Sequence, residues 1–153
     1  MLRIGFYKGT SFWDKIVAYF SKSPYTHTCL INGNEKIEAR LDTGVVKTSI
    51  FNYPGKWELE IAEINMLPEE TGMAIWKWAE TLIGKHYDIL GAIGTRVPIF
   101  PIQSKRRWFC SELVESCLRK YDYSLCPYLS TDKTTPALQR LAGNIKIIEI
   151  IKK

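Results

Sequence analysis

The stretch RRWFCSELVESCLRKY (residues 106–121) places Cys110 where a loop gives way to a helix. Leu113, Val114, Cys117, Leu118 and Tyr121 recur at helical spacing and mark one buried face. Cys110 lies on the same stripe, in its first turn. There the unpaired backbone N–H groups and about half a positive charge favour a thiolate over a thiol. The same N–H groups could hold an oxyanion developing on a substrate carbonyl. Taken alone, a cysteine one turn before an apolar stripe is more often core than nucleophile, so the chemical reading needs a base and an acid to orient it.

A hairpin supplies both. YTHTCLI and EKIEARL are β-rich runs on either side of Asn32-Gly33, a strong short hairpin signal. If Asn32-Gly33 closes a two-residue turn, Ile31 faces Asn34 and His27 lies directly across from Glu38, with Cβ atoms about 4.5–5.5 Å apart. If Gly33-Asn34 closes it, Glu38 becomes a diagonal neighbour of His27 on the same face. A one-residue slip would put the two on opposite faces. A carboxylate that fixes one imidazole tautomer leaves the other ring nitrogen to take a proton, which is what a general base requires. With such a pair in the chain, Cys110, His27 and Glu38 read as nucleophile, general base and orienting acid.

The rival groups have blander readings. His86, the only other histidine, follows Gly84-Lys85 in a loop with Asp88 as its nearest acid. Cys29 shares a strand face with His27 and reads as a packing residue, Cys117 belongs to the core stripe, and Cys126 beside Pro127 reads as inert. Glu112 reads as a first-turn acid and a fallback for the orienting role. The four cysteines match no Cys-x-x-Cys pair, so free thiols are expected rather than a disulfide framework. No four-ligand zinc spacing is present, and neither a metal nor an organic cofactor is expected.

The elements that must position these groups are those of one α+β domain spanning residues 1–153. Strands are expected over 2–8, 25–31, 35–41, 44–51 and 57–64, with a last strand at NIKIIEII (144–151). Helices are expected at 11–23, with Phe12, Ile16, Tyr19 and Phe20 on one side, and from Pro68 to about Ile83, with a stripe of Ala74, Trp78, Ala79 and Leu82. A further short helix is expected after Gly84 and another from Pro136 to a C-cap at Gly143. RVPIFPIQSKRR (96–107), with two prolines and four basic residues, reads as a loop. The chain carries 21 Lys and Arg against 16 Asp and Glu, a net charge of +5 that suits an anionic partner without choosing one.

Together SPYTHTCLI, IEAR…GVV, GKHYDILGAI and RWFCSELVESCL resemble the circularly permuted branch of the NlpC-type cysteine peptidases, the YiiX-like proteins, and the spacing SFWDKIVAYFSKSPYTH especially resembles versions carried by bacteriophages. That family is related in fold to papain and to lecithin:retinol acyltransferase. The resemblance implies an antiparallel sheet packed against a helical bundle, with the same three residues in the roles given above. It also implies that Tyr87 and Asp88 shape the site. Where relatives begin the first strand with Gly-Asp, this chain has Gly5-Phe6.

The function expected is thiol hydrolysis of an amide or peptide bond, in bacterial peptidoglycan, through a thioester. Two alternatives stay open: a lipid or N-acyl hydrolase or acyltransferase on the same three residues, and a non-catalytic binding or virion-associated module. The basic, aromatic loop either is solvated surface or rims the cleft, with Arg96, Lys105, Arg106 and Arg107 drawing in an anionic substrate and Phe100 and Trp108 supplying apolar contact. No nucleic-acid-binding signature accompanies it. Arg3 and Lys8 interrupt any signal-peptide-like run, and no segment approaches the roughly 18 uncharged residues of a membrane span. Synthesis in the cytoplasm is therefore expected, with release by lysis or carriage in a virion. Oligomeric state is left open.

Overall fold

Apolar residues on both sides of a short extended run make β1 (Leu2–Gly9) an interior strand, and the rest of the sheet is built around it. The computed structural model describes residues 1–40, 42–87, 107–108 and 110–153; for Trp13, Phe20, His86, Tyr87, Arg107 and Trp108 it describes the backbone alone. After β1 come α1 (Phe12–Ser21), β2 (His27–Asn32), β3 (Glu35–Arg40), β4 (Gly44–Ser49), β5 (Trp57–Ile64) and α2 (Glu69–Glu80). The later elements are β6 (His86–Tyr87), β7 (Arg107–Trp108), α3 (Cys110–Arg119), a 3-10 turn at Thr131–Lys133, α4 (Pro136–Arg140) and β8 (Ile145–Lys152). The architecture is α+β: a six-stranded antiparallel sheet in the order β4-β3-β2-β1-β5-β8, with four helices among the described residues.

The β2–β3 register decides what meets what. Asn32 pairs with Glu35, Ile31 with Lys36 and Leu30 with Ile37, so the turn is Gly33-Asn34. Gly33 takes φ +60, and glycine in the first central position is the requirement of a type II′ turn. Of the two registers the sequence allows, this is the one that sets Glu38 diagonal to His27 on a shared face.

Both faces of the sheet are covered. On one, Leu2, Ile4, Phe6, Leu30, Ile37 and Ala39 pack with Ile75, Trp76 and Ala79 of α2 and with Leu113, Val114, Cys117 and Leu118 of α3. Each fully buried aliphatic side chain there contributes about 1.5–3 kcal/mol. On the other, Tyr7, Cys29, Ile31, Leu59 and Ile61 are closed over by Ile50, Tyr53 and Trp57, which lie in or beside the β4–β5 connection. Strand residues that would be half-solvated in an open antiparallel sheet are therefore buried on both sides, charged ones included.

Several elements depart from the sequence pattern. Among the described side chains of α1 the buried one is Asp14, while Phe12 and Tyr19 are 70% and 79% exposed. Hydrogen bonds turn Asp14 inward: Ser11 and Asp14 form a reciprocal capping box, and Thr26 Oγ1 donates to Asp14 Oδ1 at 2.7 Å. The buried stripe of α2 runs through Gly72, Ile75, Trp76 and Ala79, with Leu82 beyond it, rather than through Ala74 and Trp78, because Ile75 and Trp76 face the sheet. His86 and Arg107, read as loop, form a two-residue parallel pairing of β6 with β7, beside β4. Gly84 and Lys85 anchor that end through backbone bonds to Val45 at 2.8 and 2.7 Å. Helix α4 ends at Leu141, two residues before Gly143. The short helix expected after Gly84 falls chiefly outside the described residues.

Candidate active site

His27 opens β2 and Glu38 lies near the end of β3, and the hairpin brings their side chains together. His27 Nε2 donates to Glu38 Oε2 at 2.8 Å, leaving Nδ1 as the nitrogen for another partner. Glu38 is fully buried and receives three further groups. Lys36 Nζ lies 2.9 Å from Oε2, Arg40 Nε lies 3.0 Å from Oε1, and Thr48 Oγ1 donates to Oε1 at 3.3 Å. Burial alone would raise the carboxyl's pKa. Hydrogen bonding and attraction to His27, together with the Lys36 charge, outweigh burial and hold it down at about 2.

Cys110 is the first residue of α3 and is 5% exposed. Its helix is fixed at this end by the segment that follows it in the fold: Ser111 Oγ donates to the Thr134 carbonyl and Gln139 Nε2 to the Ser111 carbonyl, each at 2.8 Å. Further along, the buried Glu115 carboxylate pairs with Arg119 at 2.9 Å and accepts from Ser124 Oγ and from the Leu125 and Cys126 amides. The apolar stripe seats α3 on the sheet, and its N-terminal end brings Cys110 close enough to His27 to perturb the imidazole. Burial would lower the imidazole's pKa. Hydrogen bonds to Cys110 and Glu38, and attraction to both, instead raise it to about 9. The helix tip thus brings a sulfur toward an imidazole that a carboxylate already holds.

Two tyrosines wall the imidazole. Tyr7 and Tyr53 stack with centroids 4.2 Å apart, and their rings lie 6.0 and 5.7 Å from that of His27. Tyr7 donates to the Ile50 carbonyl and Tyr53 to Asp14 Oδ1, each at 2.6 Å. Burial raises both phenols above the ordinary tyrosine range. Beside this wall is a cavity of about 390 Å³ lined by Asp14, Thr26, His27, Arg40 and Tyr53 among others. It lies next to the imidazole, with the Arg40 guanidinium and the Asp14 carboxylate on its walls.

The remaining cysteines stand apart in character. All four are free and buried. Burial pushes Cys29 and Cys117 well above the ordinary thiol range and Cys126 up to about 11. Glu112 is buried in the first turn of α3, while the carboxylate on the imidazole is Glu38. Of the residues expected to contact substrate, Tyr87, Arg107 and Trp108 have their backbones in the β6–β7 pair and their side chains outside the described residues, as does His86. Asp88, Arg96, Phe100, Lys105 and Arg106 lie outside the described residues altogether.

Sequence reasoning passed over Asp14, Lys36 and Tyr53. The signal for Asp14 was present as the Ser11-x-x-Asp14 spacing of a capping box. Nothing in the pattern EKIEAR marks its charges as buried.

No protein-family profile matches the chain, and no curated protein matches it. Among solved structures it is similar to the crystal structure of the metalloprotein yiiX from Escherichia coli, with a TM-score of 0.66 and 15% identity over 96% of this chain and 94% of that one. The likeness is one of fold, and the chain has a YiiX-like fold. That neighbour is described as a metalloprotein. Among the described residues of this chain, no group of three or more His, Cys, Asp and Glu side chains is arranged to hold a metal ion, and His27 Nε2 is already committed to Glu38. No described helix is long and apolar enough to cross a membrane.

Proposed function

We propose that the chain is a thiol hydrolase of the papain-like, circularly permuted NlpC type, cleaving an amide or peptide bond in bacterial peptidoglycan. The observation that carries this reading is the continuous contact from Glu38 through His27 to a cysteine at a helix N-terminus. A His27 imidazole raised to about 9 is protonated at neutral pH.

In the first half-reaction Cys110 Sγ, whose proton His27 Nδ1 holds, attacks the substrate carbonyl carbon. The carbonyl oxygen takes up the negative charge, facing the N–H groups of the first turn of α3. The C–N bond breaks as His27 returns the proton to the leaving amine, and a thioester remains on Cys110. In the second half, water gives a proton to His27 as it attacks the thioester. The C–S bond then breaks, the carboxylic acid leaves, and the thiol is restored. Glu38 holds the ring through Nε2 and stabilises the imidazolium in both halves.

The test is direct. Purified protein is incubated with soluble muropeptides and analysed by mass spectrometry for cleaved stem peptide and for an acyl adduct on the tryptic peptide that contains Cys110. Cleavage that is absent in the wild type, or undiminished in Cys110→Ala, removes the proposal. An adduct formed from phospholipid instead of muropeptide reassigns the substrate to lipid acyl chains.

A further inference from the structure

We propose that Lys36 acts through Glu38 as a positioning residue, its buried charge offsetting the carboxylate so that His27 is oriented without being locked as an imidazolium. This rests on reading Cys110, His27 and Glu38 as a catalytic chain.

Lys36 is fully buried on β3, two residues before Glu38. Its Nζ stands 2.9 Å from Glu38 Oε2, the oxygen that accepts from His27. It also lies over the Tyr7 and Tyr53 rings, 4.4 and 5.0 Å from their centroids. Among the described residues Nζ makes no well-aligned hydrogen bond, so its hold on Glu38 is through charge. Taking an ammonium out of water costs several kcal/mol, and an apolar side chain of similar length fills such a place at lower cost. Packing alone therefore gives no reason for a lysine under two stacked tyrosines. Electrostatics does, because an unshared carboxylate against Nε2 would hold the ring's proton too tightly to return it to a leaving amine.

The charged and titratable groups that face His27 come from every element around it. Glu38 stands on β3, backed by Lys36 and Arg40 from the same strand. Cys110 comes from α3 and Tyr7 from β1. Tyr53, from the β4–β5 connection, is tied to Asp14 of α1. Removing a positive charge from this set raises the pKa of each of its neighbours, whereas loss of a purely structural side chain moves none in a defined direction.

The chain has two histidines, so a His86→Asn variant assigns the ring signals, and proton NMR then follows His27 through a pH titration of the intact protein. In Lys36→Met the His27 midpoint should rise by about half a unit or more. The pH at which iodoacetamide begins to alkylate Cys110 should rise with it. A midpoint equal to or below that of the wild type overturns the inference. Should Lys36→Met fail to fold, Glu38→Gln is compared with Lys36→Met/Glu38→Gln, which replaces the whole ion pair with neutral groups. The double variant should have the higher His27 midpoint, and equal midpoints overturn the inference. Wild-type Cys110 alkylating no faster than Cys126 at neutral pH would instead remove the hydrolase reading and this inference with it. Fast alkylation with an unmoved Lys36→Met midpoint removes the Lys36 role alone.

Discussion

His27 and Glu38 meet diagonally across one hairpin, Nε2 to Oε2 at 2.8 Å, on a sheet face that the β4–β5 connection seals from water. Because β2 and β3 are joined by a two-residue turn, the pair is a local product of the chain. The sulfur that it contacts arrives from a helix on the far side of the sequence. His27 and Glu38 are thus brought together by register, and Cys110 is brought to them by packing.

Stability should depend on pH in two windows. His27 is raised from 6.5 to about 9, so its contribution is fully present below 6.5 and is lost as pH climbs through 9. Glu38 is lowered from 4.5 to about 2, so its contribution is present above 4.5 and is lost as pH falls through 2. Urea midpoints measured across this range should form a plateau between the two ordinary values. Glu38→Gln should flatten both limbs. A wild-type curve without an alkaline decline between 7 and about 9 would contradict the assignment to His27.

His27→Ala and Glu38→Gln should each lower turnover of a cleaved muropeptide by about 10²- to 10⁴-fold. Their stability costs should differ. Glu38→Gln leaves Lys36 buried without its partner charge, which costs about 3–5 kcal/mol. Denaturation midpoints of the two variants, read beside their rates, separate the effects.

Cys110→Ala should abolish thioester formation while keeping the fold, since removing one buried sulfur costs only about 1 kcal/mol. In the wild type at pH 7, iodoacetamide should label Cys110 at least about tenfold faster than Cys126, whose thiol burial pushes up to about 11. Peptide mapping of a short labelling pulse reads both sites at once.

Gly9→Ala should loosen the start of α1. A Cβ there would sit 2.1 Å from Asp14 Oδ2, and that carboxylate is held by Ser11, Thr26 and Tyr53. It must move and break those bonds, at a cost of about 1–3 kcal/mol. The same substitution in an Asp14→Ala background should cost much less, and that non-additivity, measured by urea denaturation, identifies the clash as the cause.

The strands were readable as β-rich runs between turn signals, and the observed spans of β1, β4, β5 and β8 lie within two residues of those expected. Cys110 was placed correctly at the start of α3 by its apolar stripe, and His27 and Glu38 were legible because either hairpin turn leaves them on one face. Which turn forms was not legible, since both contain Gly33 and the choice depends on where its positive φ falls. Lys36 was missed for a different reason. Alternation reports which residues share a face but not whether that face is dry, and here Tyr53 and Trp57, from a segment that reads only as a turn and a strand start, exclude the water. Asp14 was hidden by its apolar neighbours, which made α1 look like a helix buried on its Phe12–Tyr19 side.

A carboxylate offers about four lone-pair directions. In Glu38 one oxygen accepts from His27 and the other from Thr48, while the Lys36 and Arg40 charges stand 2.9 and 3.0 Å away. Glu38 is therefore held from four sides at once, and the ring it grips inherits that fixity.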